Sequence, residues 1–124
     1  MKKTPKYLII ILLLVLLDFI TKNIFHKTTN VGSIWNIFPN NFFWISISTI
    51  LLIGILFNFK NFKNKIIPSV LLSGLIGNLI DRIVFSGVRD FISIERFPTF
   101  NLADSYITLT ITIIIYRIIK NESI

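Results

Sequence analysis

A chain of 124 residues has room for one domain and no second one. Its apolar content of 53% and mean hydropathy of +0.75 lie above the globular average, and its charged content of 15% lies below it, which points to lipid as the solvent. The absence of cysteine excludes a disulfide framework and a thiol nucleophile, and the net charge of +7, which could suggest nucleic acid by its sum, matters more through its placement.

Residues 1–20, MKKTPKYLIIILLLVLLDFI, join a basic start to an apolar run in the manner of a secretory signal peptide. No small-x-small cleavage site follows, and the apolar character continues through Asp18 to Phe25, so a retained first span over residues 7–24 is expected. At about 1.5 Å per residue such a helix crosses most of a ~30 Å hydrocarbon core. A polar connection, HKTTNVGSIWNIFPNN, carries Gly32, Pro39 and several asparagines as turn formers. The second apolar run, residues 42–59, opens on Phe42, Phe43 and Trp44 in the manner of an interfacial aromatic belt. A basic loop at residues 60–65 leads to a third run at 66–85, and a fourth covers 102–119. Pro98 precedes that last run and breaks nothing. Lipid demands that every backbone polar group be satisfied internally, and the runs do not alternate as barrel strands do. Four transmembrane helices in an all-α membrane protein are therefore expected, within one domain over residues 1–124.

Lys2, Lys3, Lys6, Lys60, Lys63, Lys65, Arg117 and Lys120 share one side if both termini face the cytoplasm, and Lys22, Lys27, Arg82, Arg89 and Arg96 fall toward the other. The same topology gathers Asp18, Asp81, Asp90, Glu95 and Asp104 at or near the outer boundary.

Residues 73–105 hold Asp81, Asp90 and Asp104 with three of the four arginines, and charge placed among membrane spans is a functional candidate by default. The third span runs outward and the fourth returns, so Asp90 and Asp104 come close. Two carboxylates at the edge of a low-dielectric region share one proton, as an aspartic protease requires. A structural reading stands beside this one. Asn101 is placed to cap the fourth helix with Asp104 at its third position, and Asp90 can pair with Arg89 or Arg96. Asn78 and Arg82, four apart, share a helix face and either orient the dyad or glue helices together. Ser73, Gly74 and Gly77 form a small-residue patch suited to close packing. Asp18 and Lys22 have the spacing of a helical ion pair, supporting either the site or the helix end. His26 lacks a second ligand and reads as solvated rather than metal-binding. Ser105 lacks a histidine partner, which makes a serine nucleophile weak.

The strings DFITK (residues 18–22), NVGSIW (30–35), GLIGNLIDR (74–82), GVRDF (87–91) and FNLADS (100–105) occur in this order. The set resembles the lipoprotein signal peptidase, or type II signal peptidase, family. That resemblance implies four membrane helices, a small extracytoplasmic β-element, and cleavage of a lipoprotein precursor just before its diacylglyceryl-modified cysteine. It implies Asp90 and Asp104 as the catalytic dyad, with Asp18, Lys22, Asn30, Gly74, Asn78, Arg82, Asn101 and Ala103 shaping the site or holding substrate. The chain departs from the family in a short segment between Lys22 and Asn30, in Ser33-Ile34 where an alanine pair is usual, and in a brief loop over residues 91–99.

The expectation is an intramembrane aspartic endopeptidase of the cell membrane, with its site near the extracytoplasmic face and a reduced β-element. It acts as a monomer on prolipoproteins in contact with membrane lipid, without metal, cofactor or nucleic acid. The alternative is a small membrane protein that binds lipidated precursors without cutting them; a channel-like protein is more distant.

Overall fold

The computed structural model describes residues 4–30 and 40–124, with Thr4, Pro5 and Asn30 described by their backbone alone. Four long helices carry the chain: α1 over Thr4–Phe25, α2 over Asn41–Asn58, α3 over Ile66–Phe85 and α4 over Leu102–Ile119. Each is long and apolar enough to cross a membrane. The expected limits of the third and fourth spans coincide with α3 and α4. The first helix starts earlier than expected, since nothing before Tyr7 forbids helical backbone.

α2 has no buried residue and is apolar around its whole circumference, which suits a helix whose outer solvent is lipid. Its start is capped by Asn40, whose side chain accepts the Phe42 N–H at 2.9 Å. α3 is the buried centre and packs against α1, α2 and α4. Pro68 fits within its first turn, where the backbone N–H has no helical partner to lose. Ser69 and Ser73 turn their hydroxyls back to the carbonyls of Lys65 and Ser69, so neither exposes a donor to the core. The helix stops at Ser86, in the left-handed region with φ 59°.

Small residues allow α3 to approach its neighbours closely. A Cβ on Gly74 would lie 2.6 Å from Ile107 Cγ1 and 2.7 Å from the Ala103 carbonyl oxygen. A Cβ on Gly77 would lie 2.5 Å from Asp18 Oδ2 and 3.3 Å from Ala103 Cβ. The small-residue patch is thus a packing seam, meeting α4 at Gly74 and both α1 and α4 at Gly77. Tyr106 adds a tie from α4 to α1, donating to the Leu14 carbonyl at 3.2 Å.

Between the helices, β1 (Thr28–Asn30) pairs antiparallel with β2 (Val88–Asp90), matching Thr28 to Asp90 and Asn30 to Val88. The short segment after Lys22 therefore forms a strand. Residues 91–100 fold back on themselves through an Ile92–Phe100 bridge, with Phe100 N–H to Ile92 O at 3.0 Å and Ile92 N–H to Phe100 O at 2.9 Å. This closure delivers Asn101 beside Asp90. At the opposite end of the molecule, the N–H groups of Lys63 and Asn64 donate to the Ile124 carbonyl, so the basic loop and the C-terminus meet there.

The glycine seam makes a prediction. Gly74→Ala must displace α4 backbone and should cost about 1–3 kcal/mol. Gly54, with nothing within 4 Å of an added Cβ, should tolerate alanine with no loss. Thermal midpoints of the purified proteins in detergent check the contrast.

Candidate active site

The site begins with a helix cap. The Asn101 side-chain oxygen accepts the Asp104 N–H at 2.8 Å, and Asp104 Oδ2 accepts the Asn101 N–H at 3.2 Å, a reciprocal capping box at the start of α4. Asn101 retains its amide NH2, and this group donates to Asp90 Oδ1 at 2.8 Å and to the Arg89 carbonyl at 3.3 Å. A single asparagine therefore bridges the two carboxylates. The capping role expected of Asn101 is present, and Asp90 and Asp104 each hydrogen-bond to that one residue.

Asn78 reaches Asp104 from α3, its Nδ2 donating to Oδ1 at 2.9 Å. Arg82, one turn further along, does not extend outward to water. It is 8% exposed, donates to Asn41 Oδ1 at 3.1 Å and lies 5.9 Å from the Trp44 ring centroid. Asn41 returns a hydrogen bond to the Arg82 carbonyl at 3.1 Å, which ties the first turn of α2 to α3. The Arg82 charge also acts on Asp104, Asp90 and Asp81, so it is a counter-charge for the acids of the site.

Behind this face lies a buried ion cluster. Lys22 is fully buried, with its Nζ 2.6 Å from Asp18 Oδ2 and 3.5 Å from Asp81 Oδ2. It also donates to the Gly77 carbonyl and to Asn78 Oδ1, each at 3.3 Å. Asp18 uses its other oxygen to accept the Ala103 N–H at 2.9 Å. Asp81 takes three hydrogen bonds from Arg89: backbone N–H at 2.9 Å, Nε at 3.2 Å and Nη2 at 3.1 Å. Arg89 thus turns to Asp81, not to Asp90, and donates its Nη1 to Asn23 of α1. Its guanidinium carbon lies 4.1 Å from the Phe85 ring centroid and 5.2 Å from that of Phe19.

Asp90, Asp104, Asn78, Arg82 and Asn101 are thus brought to one place, with Asp18 and Lys22 directly behind them. Ala103 contributes its N–H and its small size, being fully buried against Gly77. Gly74 acts in packing, one turn deeper along α3. The Asn30 side chain and residues 31–35 of the NVGSIW string lie outside the described residues. Asn23 and Asn41 belong to the network although spacing did not mark them, and Asp81, an expected candidate, takes Arg89, which the sequence offers to Asp90, because these partners are brought together only by packing. His26 is exposed and shares a 3.1 Å hydrogen bond with Thr29. Among the described residues, no group of three or more His, Cys, Asp or Glu is placed to hold a metal ion.

Beside Asp104 opens a groove of about 530 Å³. Ile94, Phe97 and Phe100 form one wall, and Thr108, Leu109 and Thr112 of α4 form the other, with Asp104 at the outer end of that helical wall. Thr112 satisfies its hydroxyl on the Thr108 carbonyl at 2.7 Å and so adds little polarity.

Removing the buried ammonium leaves Asp18 without its counter-charge, while Asp81 keeps Arg89, so Lys22→Met should destabilise by about 3–5 kcal/mol. The exposed Lys27→Met should stay within about 0.5 kcal/mol of the unmutated protein. Denaturation in mixed micelles measures both.

Residues 24–120 match the family model described as Signal peptidase (SPase) II. A lipoprotein signal peptidase of Staphylococcus haemolyticus (strain JCSC1435) is 30% identical, with 94% of this chain and 92% of that protein covered. Another, from Staphylococcus aureus (strain JH9), is 35% identical over 76% of this chain and 64% of its own length. A bacterial membrane enzyme structure solved by the in meso method at 2.3 Å resolution matches with a TM-score of 0.84 and 27% identity, covering 96% of this chain and 90% of that one. A second, at 1.9 Å resolution, gives 0.80 and 27% over 95% of each chain. With its four apolar helices and small two-stranded sheet, the chain belongs to the signal peptidase II family of membrane peptidases.

Proposed function

We propose that this chain is an intramembrane aspartic endopeptidase that removes signal peptides from lipid-modified prolipoproteins, cutting just before the diacylglyceryl-cysteine, with Asp90 and Asp104 as its catalytic pair. The observation that carries this reading is the Asn101 bridge, which holds the Asp90 carboxylate through its amide NH2 and the Asp104 carboxylate through its backbone N–H. The family match and the names of the similar proteins support the substrate class.

Two carboxylates joined by one residue in a low-dielectric site carry one proton between them. The ionised member takes a proton from water while the protonated member gives its own to the scissile carbonyl oxygen. The water oxygen bonds to the carbonyl carbon, forming a gem-diol. Collapse breaks the C–N bond, delivers one proton to the leaving nitrogen and returns the other to the pair, which restores the starting state. Arg82 offsets the accumulated negative charge, and the ion cluster behind Asn78 keeps the helices in register.

The groove beside Asp104 suits an acyl chain, since its walls are largely hydrocarbon and it ends at a catalytic carboxylate. Substrate lipid entering there would bring the neighbouring peptide bond to the pair. Lys22, Arg82 and Arg89 are buried partners of acids, so the loop cations on the strand side reduce to exposed Lys27 and Arg96. That sharpens the positive-inside argument for cytoplasmic termini and an extracytoplasmic site.

Purified protein incubated with a diacylglyceryl-modified precursor should release the signal peptide, followed by gel mobility. Asp90→Asn and Asp104→Asn should each lose about 10²–10⁴-fold in rate with thermal midpoints retained. Full cleavage by both variants would overturn the aspartic mechanism, and binding without cleavage by the unmutated protein would overturn the enzyme reading.

A further inference from the structure

Asn78 joins the buried ion cluster to Asp104. Its Oδ1 lies 3.3 Å from Lys22 Nζ and its Nδ2 lies 2.9 Å from Asp104 Oδ1. An ammonium has donors and no acceptor, so the amide carbonyl must face Lys22 and the NH2 must face Asp104. Chemistry thereby removes the usual ambiguity of an amide's orientation. The second oxygen of Asp104 accepts the Asn101 N–H at 3.2 Å. Both oxygens are held by N–H donors, which favour the charged form, and the third position of α4 adds the field of the helix N-terminus.

The charges around Asp104 come from three elements. Burial itself works against a charge on Asp104, and so does Asp18 of α1; the N–H donors of Asn78 and Asn101 and the cations Lys22 of α1 and Arg82 of α3 work for it, with Asp81 of α3 and Asp90 of β2 the other acids near Arg82. The two cations stand behind and beside the amide-held carboxylate, so its hydrogen bonds and its counter-charges act together.

Taking Asp90 and Asp104 as the catalytic pair, we propose that Asn78, oriented by Lys22, is a positioning residue. It holds Asp104 as the ionised, water-activating carboxylate and leaves the shared proton on Asp90. Asp104 then accepts the proton of water as its oxygen attacks, and Asp90 protonates the carbonyl oxygen. On collapse Asp104 passes its proton to the leaving nitrogen, and Asp90 recovers one from the gem-diol.

The test is the pH profile of kcat/KM on a diacylglyceryl-modified precursor. Its acid limb reports ionisation of the base and its alkaline limb reports loss of the acid's proton, both belonging to the coupled pair. Asn78→Leu withdraws a donor from ionised Asp104, so the acid limb should move up by about one pH unit while the alkaline limb stays. Asn101→Ser keeps a capping side chain but withdraws the amide from Asp90, so the alkaline limb should move up and the acid limb stay. Movement of the alkaline limb in Asn78→Leu would reverse the roles and overturn the proposal. So would a fall in kcat with neither limb displaced, the outcome of a purely structural Asn78. Should Asn78→Leu fail to fold, an acid-limb shift in Asn101→Ser overturns the proposal and an alkaline-limb shift supports it. Failure of the pair itself is seen separately, as full cleavage by both aspartate variants.

Discussion

The structure depends on one electrostatic constraint: charges placed inside a low-dielectric bundle must be matched where they stand. Lys22 occupies the centre of that constraint, 2.6 Å from Asp18 and 3.5 Å from Asp81. Asp81 is matched again by Arg89, and Asp18 is anchored on the Ala103 N–H. Apart from the Lys22–Asp18 pair within α1, each tie crosses between elements, so the cluster locks α1 to α3, α3 to β2 and α1 to α4. A buried pair adds little stability over well-packed hydrocarbon, but breaking one leaves an unmatched charge at high cost. In helices whose outer faces are uniformly apolar, that penalty gives register where hydrophobic contact alone would not discriminate.

Steric permission comes from the small residues. Gly74 and Gly77 bring α3 against α4 and α1 closely enough for Lys22 to reach a backbone carbonyl and for Asp18 to reach a backbone N–H. Ala103 is the complementary small residue on α4. The cap then uses the same approach. Asn101 satisfies the Asp104 N–H of the helix start with its side-chain oxygen and gives its amide NH2 to Asp90 and the Arg89 carbonyl, so a local device for starting a helix becomes the link between two acids.

This arrangement explains how a chain of 124 residues can support peptidase chemistry among lipids. The acids lie at the end of the bundle where the strands and the folded-back 91–100 segment close over the helix ends, with an apolar groove leading away along α4. Polar side chains and hydrocarbon are adjacent there. Membership of the signal peptidase II family agrees with that juxtaposition.

The four spans, the cap at Asn101 and the spacing of Asp18 and Lys22 were legible in the sequence because each depends on contacts within a few residues. Apolar runs of membrane length, an asparagine three residues before an acid and an i,i+4 ion pair are local patterns with local physics. The ordered strings likewise marked Asp90 and Asp104. Spacing alone could not show that Arg89 serves Asp81 and not its neighbour Asp90, that Arg82 stays buried against Trp44 and Asn41, or that Asn78 stands between Lys22 and Asp104. Those choices depend on which helix faces meet, and the partners lie 8, 41 and 26 or more residues apart. The sequence by itself determined the helices and the acids available to them. Only the tertiary structure decided which acid each cation neutralises, because that assignment is made by burial after the helices pack.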